Sequence, residues 1–184
     1  MNLKYSVREI VESAMLVALA IVLDLDGLKI RTGVNGGSIS FTMIPLIILA
    51  IRIGPLKGFL GIGVVYGLIT CLKDGWGIEY YPFDYLLGYG SLAIIGFFRK
   101  TILDKNKPWK GIVFLVLGVI LGVSFRFVFA CVDGVILAEL DWVGSMAYNA
   151  LYIPLSGVVS LAAMLLLYKP LQLINDKFSK KSVA

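Results

Sequence analysis

The chain contains no histidine, two cysteines and six prolines in 184 residues. Without histidine it lacks the side chain that most often shuttles protons or binds metals near neutral pH. Cys71 and Cys131 form no CxxC pair and each falls in an apolar stretch, which speaks against a disulfide framework or a zinc site. Charge is scarce as well: Asp, Glu, Lys and Arg make up 16% of the residues, against about a quarter in soluble domains. No GxxxxGK[ST] run is present, so the chain cannot bind ATP through a P-loop, and GxSxG and HExxH are also missing. Enzyme chemistry has no motif behind it, and no cofactor or metal is expected.

What fills the space is apolar. Hydrophobic residues are 59% of the chain and the mean hydropathy is +0.89. A chain this short cannot hide so many apolar side chains from water, so lipid must cover part of them. A hydrocarbon core of about 30 Å needs about 20 mostly apolar helical residues to cross it. Candidate spans are residues 8–26, 39–53, 55–73, 81–99, 110–138 and 144–168. The reading is an all-α integral membrane protein of about six transmembrane helices in a single domain, residues 1–184, with 170–184 as a frayed or amphipathic tail. The second span is short, and is expected to tilt little or to enter the membrane partway. The polar start lacks a convincing cleavage site, so no removable signal peptide is expected.

Basic residues set the orientation. With the N-terminus inside, the cytoplasmic segments hold Lys4, Arg8, Arg52, Lys57, Arg99, Lys100, Lys105, Lys107, Lys110, Lys169, Lys177, Lys180 and Lys181. The outer segments hold only Lys29, Arg31 and Lys73, so both termini are expected in the cytoplasm. The net charge of +5 could point to nucleic acid. In so hydrophobic a chain it reflects instead where Lys and Arg sit relative to the bilayer, and no nucleic-acid partner is expected. The acids run the other way: Asp24, Asp26, Asp74, Glu79, Asp84, Asp133, Glu139 and Asp141 gather at the outer side. Such a bias attracts cations, although solvated outer loops would carry it too.

Three ionisable residues fall in or at the edge of apolar spans, where charge is costly and faces protein or water. Asp84 opens the fourth span inside Tyr80-Tyr81-Pro82-Phe83-Asp84-Tyr85. Arg126 and Asp133 are seven residues apart on the fifth, about two helical turns, and so share a face. They either surround a polar pocket or form an ion pair that only fastens helices. Trp76, Tyr80 and Trp142 fit an interfacial aromatic belt. Tyr85, Tyr89, Tyr148 and Tyr152 lie deeper, and rings beside carboxylates suit a flat cationic ligand. Asn149 reads either as an edge reader of a heterocycle or as a helix–helix fastener. Asp133 would add a second carboxylate, and Trp142 would close the site. Small residues mark close packing: Gly54, Gly58, Gly63 and Gly67 on the third span, Gly118 and Gly122 on the fifth, and Ala14 and Ala18 on the first. The alanines are also open to docking another subunit.

The run Gly36-Gly37-Ser38-Ile39-Ser40, followed by Met43-Ile44-Pro45-Leu46, resembles the thiamine-specific substrate-binding (S) components of energy-coupling factor (ECF) transporters. The likeness extends over most of the chain, through Ala14-x-x-x-Ala18, the glycine-rich third helix, Asp84-Tyr85, Arg126-Phe127, Gly134-Val135-Ile136 and Tyr148-Asn149. The resemblance implies a six-helix cell-membrane subunit that captures thiamine on the outer side. Transport would be handed to a transmembrane coupling protein and two ATPase subunits. It implies that Ala14 and Ala18 face the coupling protein, that Asp84, Tyr85 and Asn149 belong to the vitamin pocket, and that residues from Val34 to Ser38 form a lid. The chain departs from the family at Ala130, where a pocket histidine is common, and at Gly144, where a tyrosine is common. A related pyrimidine or thiazole compound therefore stays open as ligand. Two other classes also stay open: a self-sufficient carrier relaying ions through Asp84, Arg126 and Asp133, and a membrane enzyme using Asp84 and Asp133 as acid and base.

Overall fold

The computed structural model describes residues 5–32 and 37–180, with the side chains of the last helix as far as Ile174. Helix α1 (Val7–Leu23) begins at a capping box: the Ser6 hydroxyl accepts from the Glu9 N–H, and the Glu9 carboxylate accepts from the Ser6 N–H. Two orphan donors of the first turn are thereby satisfied. After α1 the chain is not helical. Strand β1 (Ile30–Arg31) pairs antiparallel with β2 (Ser38–Ile39), Ile30 opposite Ile39 and Arg31 opposite Ser38. The second expected span therefore starts late, at α2 (Met43–Ile53), since residues 38 and 39 are spent on the hairpin.

Helix α2 is the centre of the molecule. Leu46, Ile47, Leu49, Ala50 and Ile51 are essentially inaccessible on it, as befits a helix that is apolar all round. Its 11 residues reach about 16 Å at 1.5 Å per residue, roughly half of the hydrocarbon thickness. The space beyond its first residue, Met43, is left to loops and side chains from its neighbours. That shortfall makes room for a cavity.

The third rod, Pro55–Asp74, runs through α3 (Pro55–Phe59), a π-helical segment (Leu60–Tyr66) and α4 (Gly67–Asp74). The fourth is π-helical over Tyr81–Tyr89 and 3-10 over Ser91–Phe98, and ends in α5 (Arg99–Ile102). Runs this long in either geometry are unusual, and π-helical turns concentrate at functional sites. The two π-helical segments meet at glycines. A Cβ on Gly63 would lie 2.6 Å from the Leu86 carbonyl oxygen, and one on Gly67 would lie 3.0 Å from that of Tyr85. The glycine series on the third span is thus a backbone-to-backbone contact within the chain.

Helix α6 (Pro108–Ile136) packs on both segments of the fourth rod, with Gly118 against Ile95 and Gly122 against Leu92. The last expected span is broken. Helix α7 (Trp142–Ala150) gives way at Leu151 and Tyr152 to α8 (Ile153–Lys180). At the break, Leu151 and Tyr152 donate to the carbonyls of Tyr148 and Asn149, three residues back rather than four. Pro154 is the cause: it has no N–H to donate, and its ring crowds the carbonyl four residues earlier. Helix α8 continues through Pro170, so of the two readings of the tail, frayed or amphipathic, residues 170–180 take a helical one.

Pro55–Asp74, Pro108–Ile136 and Trp142–Ile174 are long and apolar enough to cross a membrane. This is an all-α membrane protein apart from its two-residue strands. At one end α1 is tied to the α2–α3 corner by ion pairs, Arg52 with Glu12 at 2.5 Å and Lys57 with Glu9 at 2.8 Å. Gly54 turns that corner with φ of 94°, and the Arg99 guanidinium closes it by donating to the Arg52 carbonyl at 2.6 Å. The cavity lies at the opposite end of α2.

Candidate functional site

A cavity of about 340 Å³ opens beyond Met43, within the usual range for small-molecule sites. The helices contribute Asp74, Asp84, Tyr85, Tyr89, Arg126, Ala130, Asp133, Tyr148, Asn149 and Tyr152 to its walls, and the loop after α1 contributes Gly37, Ser38 and Ser40. Asp84, Arg126 and Asp133, the three costly charges of the sequence, therefore surround one hollow.

The aromatic wall is built in steps. Tyr66 meets Tyr89 edge-on at 5.0 Å, and Tyr85 stacks on Tyr89 at 6.3 Å. The Arg126 guanidinium lies over the Tyr89 ring, 3.6 Å from its centroid. This cation–π contact holds a buried positive charge without consuming a carboxylate. The Arg126 Nε has no hydrogen-bond partner among the described residues, and neither do Asp84 Oδ1 and Asp133 Oδ1.

The remaining lining charges are spoken for. Asp24, at the end of α1, is buried and bound by Lys29 at 3.3 Å and by Lys73. Lys73 also pairs with Asp74 at 3.3 Å, and Asp74 accepts from the Tyr85 hydroxyl at 3.1 Å. Asp24, Asp74, Lys29 and Lys73 form a closed ionic rim. Beyond it, Arg31 donates to Asp26 at 2.7 Å, and this bond holds the exposed Asp26 carboxyl below its usual range. What faces the hollow uncompensated is two carboxylates against one guanidinium.

On the far wall, the Asn149 amide donates to the Ser145 carbonyl at 2.9 Å and accepts from the Tyr152 hydroxyl at 2.7 Å. Both partners fix its orientation. The Tyr148 hydroxyl accepts from the Gly37 N–H at 2.7 Å, and the Ser156 hydroxyl accepts from the Ser40 N–H at 3.2 Å. Gly37 sits so tightly that a Cβ there would lie 2.7 Å from the Tyr152 ring. The base of the hairpin is thereby fastened over the cavity, and Thr32 closes it by donating to Gly37 at 2.9 Å.

Residues 10–175 match the family described as Thiamine transporter protein (Thia_YuaJ). The chain belongs to this family. It is therefore one of the substrate-binding components of ECF transporters that its glycine–serine run resembles. It is 28% identical to the Thiamine transporter ThiT of Bacillus subtilis (strain 168), over 96% of this chain and all of that one. Its fold is similar to the solved structure of ThiT from Listeria monocytogenes, with a TM-score of 0.76 and 25% identity, over 89% of this chain and 94% of that one.

Of the site residues expected from sequence, Asp84, Tyr85, Asp133, Tyr148 and Asn149 all line the cavity of this family member. Trp142 does not. It is the first residue of α7, just after the Asp141 cap, is 57% exposed, and is not among the residues that line the cavity. Trp76 stands at the rim instead, in the turn between Gly75 and Gly77. Val34, with Gly36 of the glycine–serine run, lies outside the described residues. Ala14 and Ala18 are exposed on α1 beside Val11 and Met15, away from the cavity. Sequence reasoning did not name Asp24, Ser40 or Ser156 as pocket residues, although Asp24 belonged to the outer acids and Ser40 to the glycine–serine run. Tyr152 was singled out only by its depth in the last span, beyond an interfacial aromatic belt.

Proposed function

We propose that the chain captures thiamine in this cavity and delivers it to a coupling protein driven by two ATPase subunits. The single observation that carries the ligand reading is the pair of sequestered carboxylate oxygens on Asp84 and Asp133. A buried carboxylate oxygen with no partner is expensive, and a guest that brings a positive charge and N–H donors removes that cost. Among the described residues Lys29 is already paired with Asp24, so Arg126 is the lining cation without an ion-pair partner, and a cationic guest offsets the carboxylate charge that remains. Thiamine carries one fixed charge on its thiazolium ring and an amine on its pyrimidine. The Tyr85 and Tyr148 rings line the hollow for such a flat cation, and Asn149 offers an oriented amide to a heterocycle edge. The relatives named as thiamine transporters support the same assignment. Ala130 and Ala138 leave part of the wall small, which admits a related pyrimidine or thiazole compound as a second ligand.

In this reading the chain crosses the membrane six times with both termini in the cytoplasm and carries no catalysis itself. The whole of residues 1–184 serves as one domain, and the exposed Ala14–Ala18 stripe docks the coupling protein, since small residues let a partner helix approach closely. Proteoliposomes test the division of labour. Labelled thiamine should accumulate only when coupling protein, ATPases and ATP accompany the chain. Uptake by the chain alone, without ATP, would make it a self-sufficient carrier.

A further inference from the structure

The end of the bundle remote from the cavity carries a feature that ligand capture does not use. The corner from α5 into the first turn of α6 holds Lys100, Lys105, Lys107 and Lys110, all exposed, and a single acid, Asp104. Asp104 is turned back on its own loop, accepting from the Asn106 N–H at 2.9 Å. Arg99, the neighbouring cation, is committed inward to the Arg52 carbonyl. Lys100, Lys107 and Lys110 therefore face outward, and none of them is ion-paired with an acid among the described residues.

The corner is held in one shape. Gln172, buried on α8, donates to the carbonyls of Ile102 at 3.2 Å and Asp104 at 3.4 Å. Tyr168 donates to the Pro108 carbonyl at 3.0 Å, and its ring end fills the place a Cβ on Gly111 would need. Trp109 follows Pro108 and is 64% exposed, with the Lys110 ammonium 5.8 Å from its ring. Immediately beyond it α6 shows Ile112 and Val113 outward. An exposed indole between an apolar helix and a ring of lysines marks the level of the lipid headgroups. Lysines at that level attract anionic lipids.

We propose that the corner from Lys100 to Lys110 is a binding site for the headgroup of an anionic phospholipid. Lys107 and Lys110 would neutralise the phosphate and Lys100 would extend the basic rim. Trp109 would seat at the glycerol level, and Ile112 and Val113 would lie along the acyl chain. The buried Gln172 and Tyr168 hydrogen bonds preorganise the corner, which reduces the ordering cost of binding.

The test uses the three tryptophans of the chain. The double variant Trp76→Phe/Trp142→Phe leaves Trp109 as the sole reporter. In nanodiscs of neutral phosphatidylcholine doped with a minor fraction of brominated lipid, brominated phosphatidylglycerol should quench Trp109 more strongly than brominated phosphatidylcholine. The local enrichment should be about fivefold for each lysine engaged. Adding Lys100→Gln, Lys107→Gln and Lys110→Gln should bring the two lipids to equal quenching. Far-UV circular dichroism on the same samples confirms that the helices are intact. Equal quenching by both lipids with the lysines present, or an unchanged preference after their replacement in a folded protein, would overturn the proposal.

Discussion

The guanidinium of Arg126 rests 3.6 Å from the centre of the Tyr89 ring, on the wall of a cavity that also holds Asp84 and Asp133. An ion pair between Arg126 and an acid would have cancelled the charges and served only to join helices. The stacked geometry keeps the arginine in place while the carboxylate oxygens stay available. In the proposed function, this separation of charge is what a cationic guest would use.

Replacing Asp84 by Asn keeps the shape of the wall and removes its charge. Thiamine affinity should fall roughly 10- to 100-fold, the range for losing a charge-assisted hydrogen bond. Fluorescence titration of the purified variant reads this directly. Unchanged affinity in a folded Asp84→Asn protein would remove that carboxylate from the site.

The tryptophans make a second, independent check. Trp76 lines the rim, whereas Trp142 is exposed on the outside of α7. Trp76→Phe should abolish the fluorescence change on thiamine binding, and Trp142→Phe should leave most of it. The reverse result would place the ligand on the other side of α7.

Glycine positions separate packing from conformation. A Cβ on Gly63 would lie 2.6 Å from the Leu86 carbonyl oxygen, so Gly63→Ala must push the third and fourth rods apart. It should lower stability by about 1–3 kcal/mol and loosen the cavity wall formed by Tyr85 and Tyr89. Gly27 has φ of 98° but open space around it. Gly27→Ala should cost only about 1 kcal/mol of backbone strain and leave binding unchanged. Thermal unfolding in detergent, paired with a binding titration, distinguishes the two.

Much of this was legible in the sequence for physical reasons. A charge inside an apolar span has few places to go, so Asp84, Arg126 and Asp133 announced the pocket. Depth within the last span set Tyr148 and Tyr152 apart from the interfacial aromatics. What stayed hidden depended on tertiary geometry. No pattern reveals that the third and fourth rods are π-helical where they touch, because backbone hydrogen-bond register leaves no trace in hydropathy. The break at Leu151 and Tyr152 was signalled only by Pro154, and proline inside a membrane helix is often tolerated. Trp76 and Trp142 look alike as interfacial aromatics. Only the folded structure distinguishes them: Trp76 lines the hollow and Trp142 does not.

An experimental density map of the protein saturated with thiamine tests the central claim most directly. The account predicts one thiamine between Tyr85, Tyr148 and Asn149, with donors within hydrogen-bond distance of Asp84 and Asp133. Thiamine bound elsewhere, or a cavity still empty at saturating ligand, would contradict it.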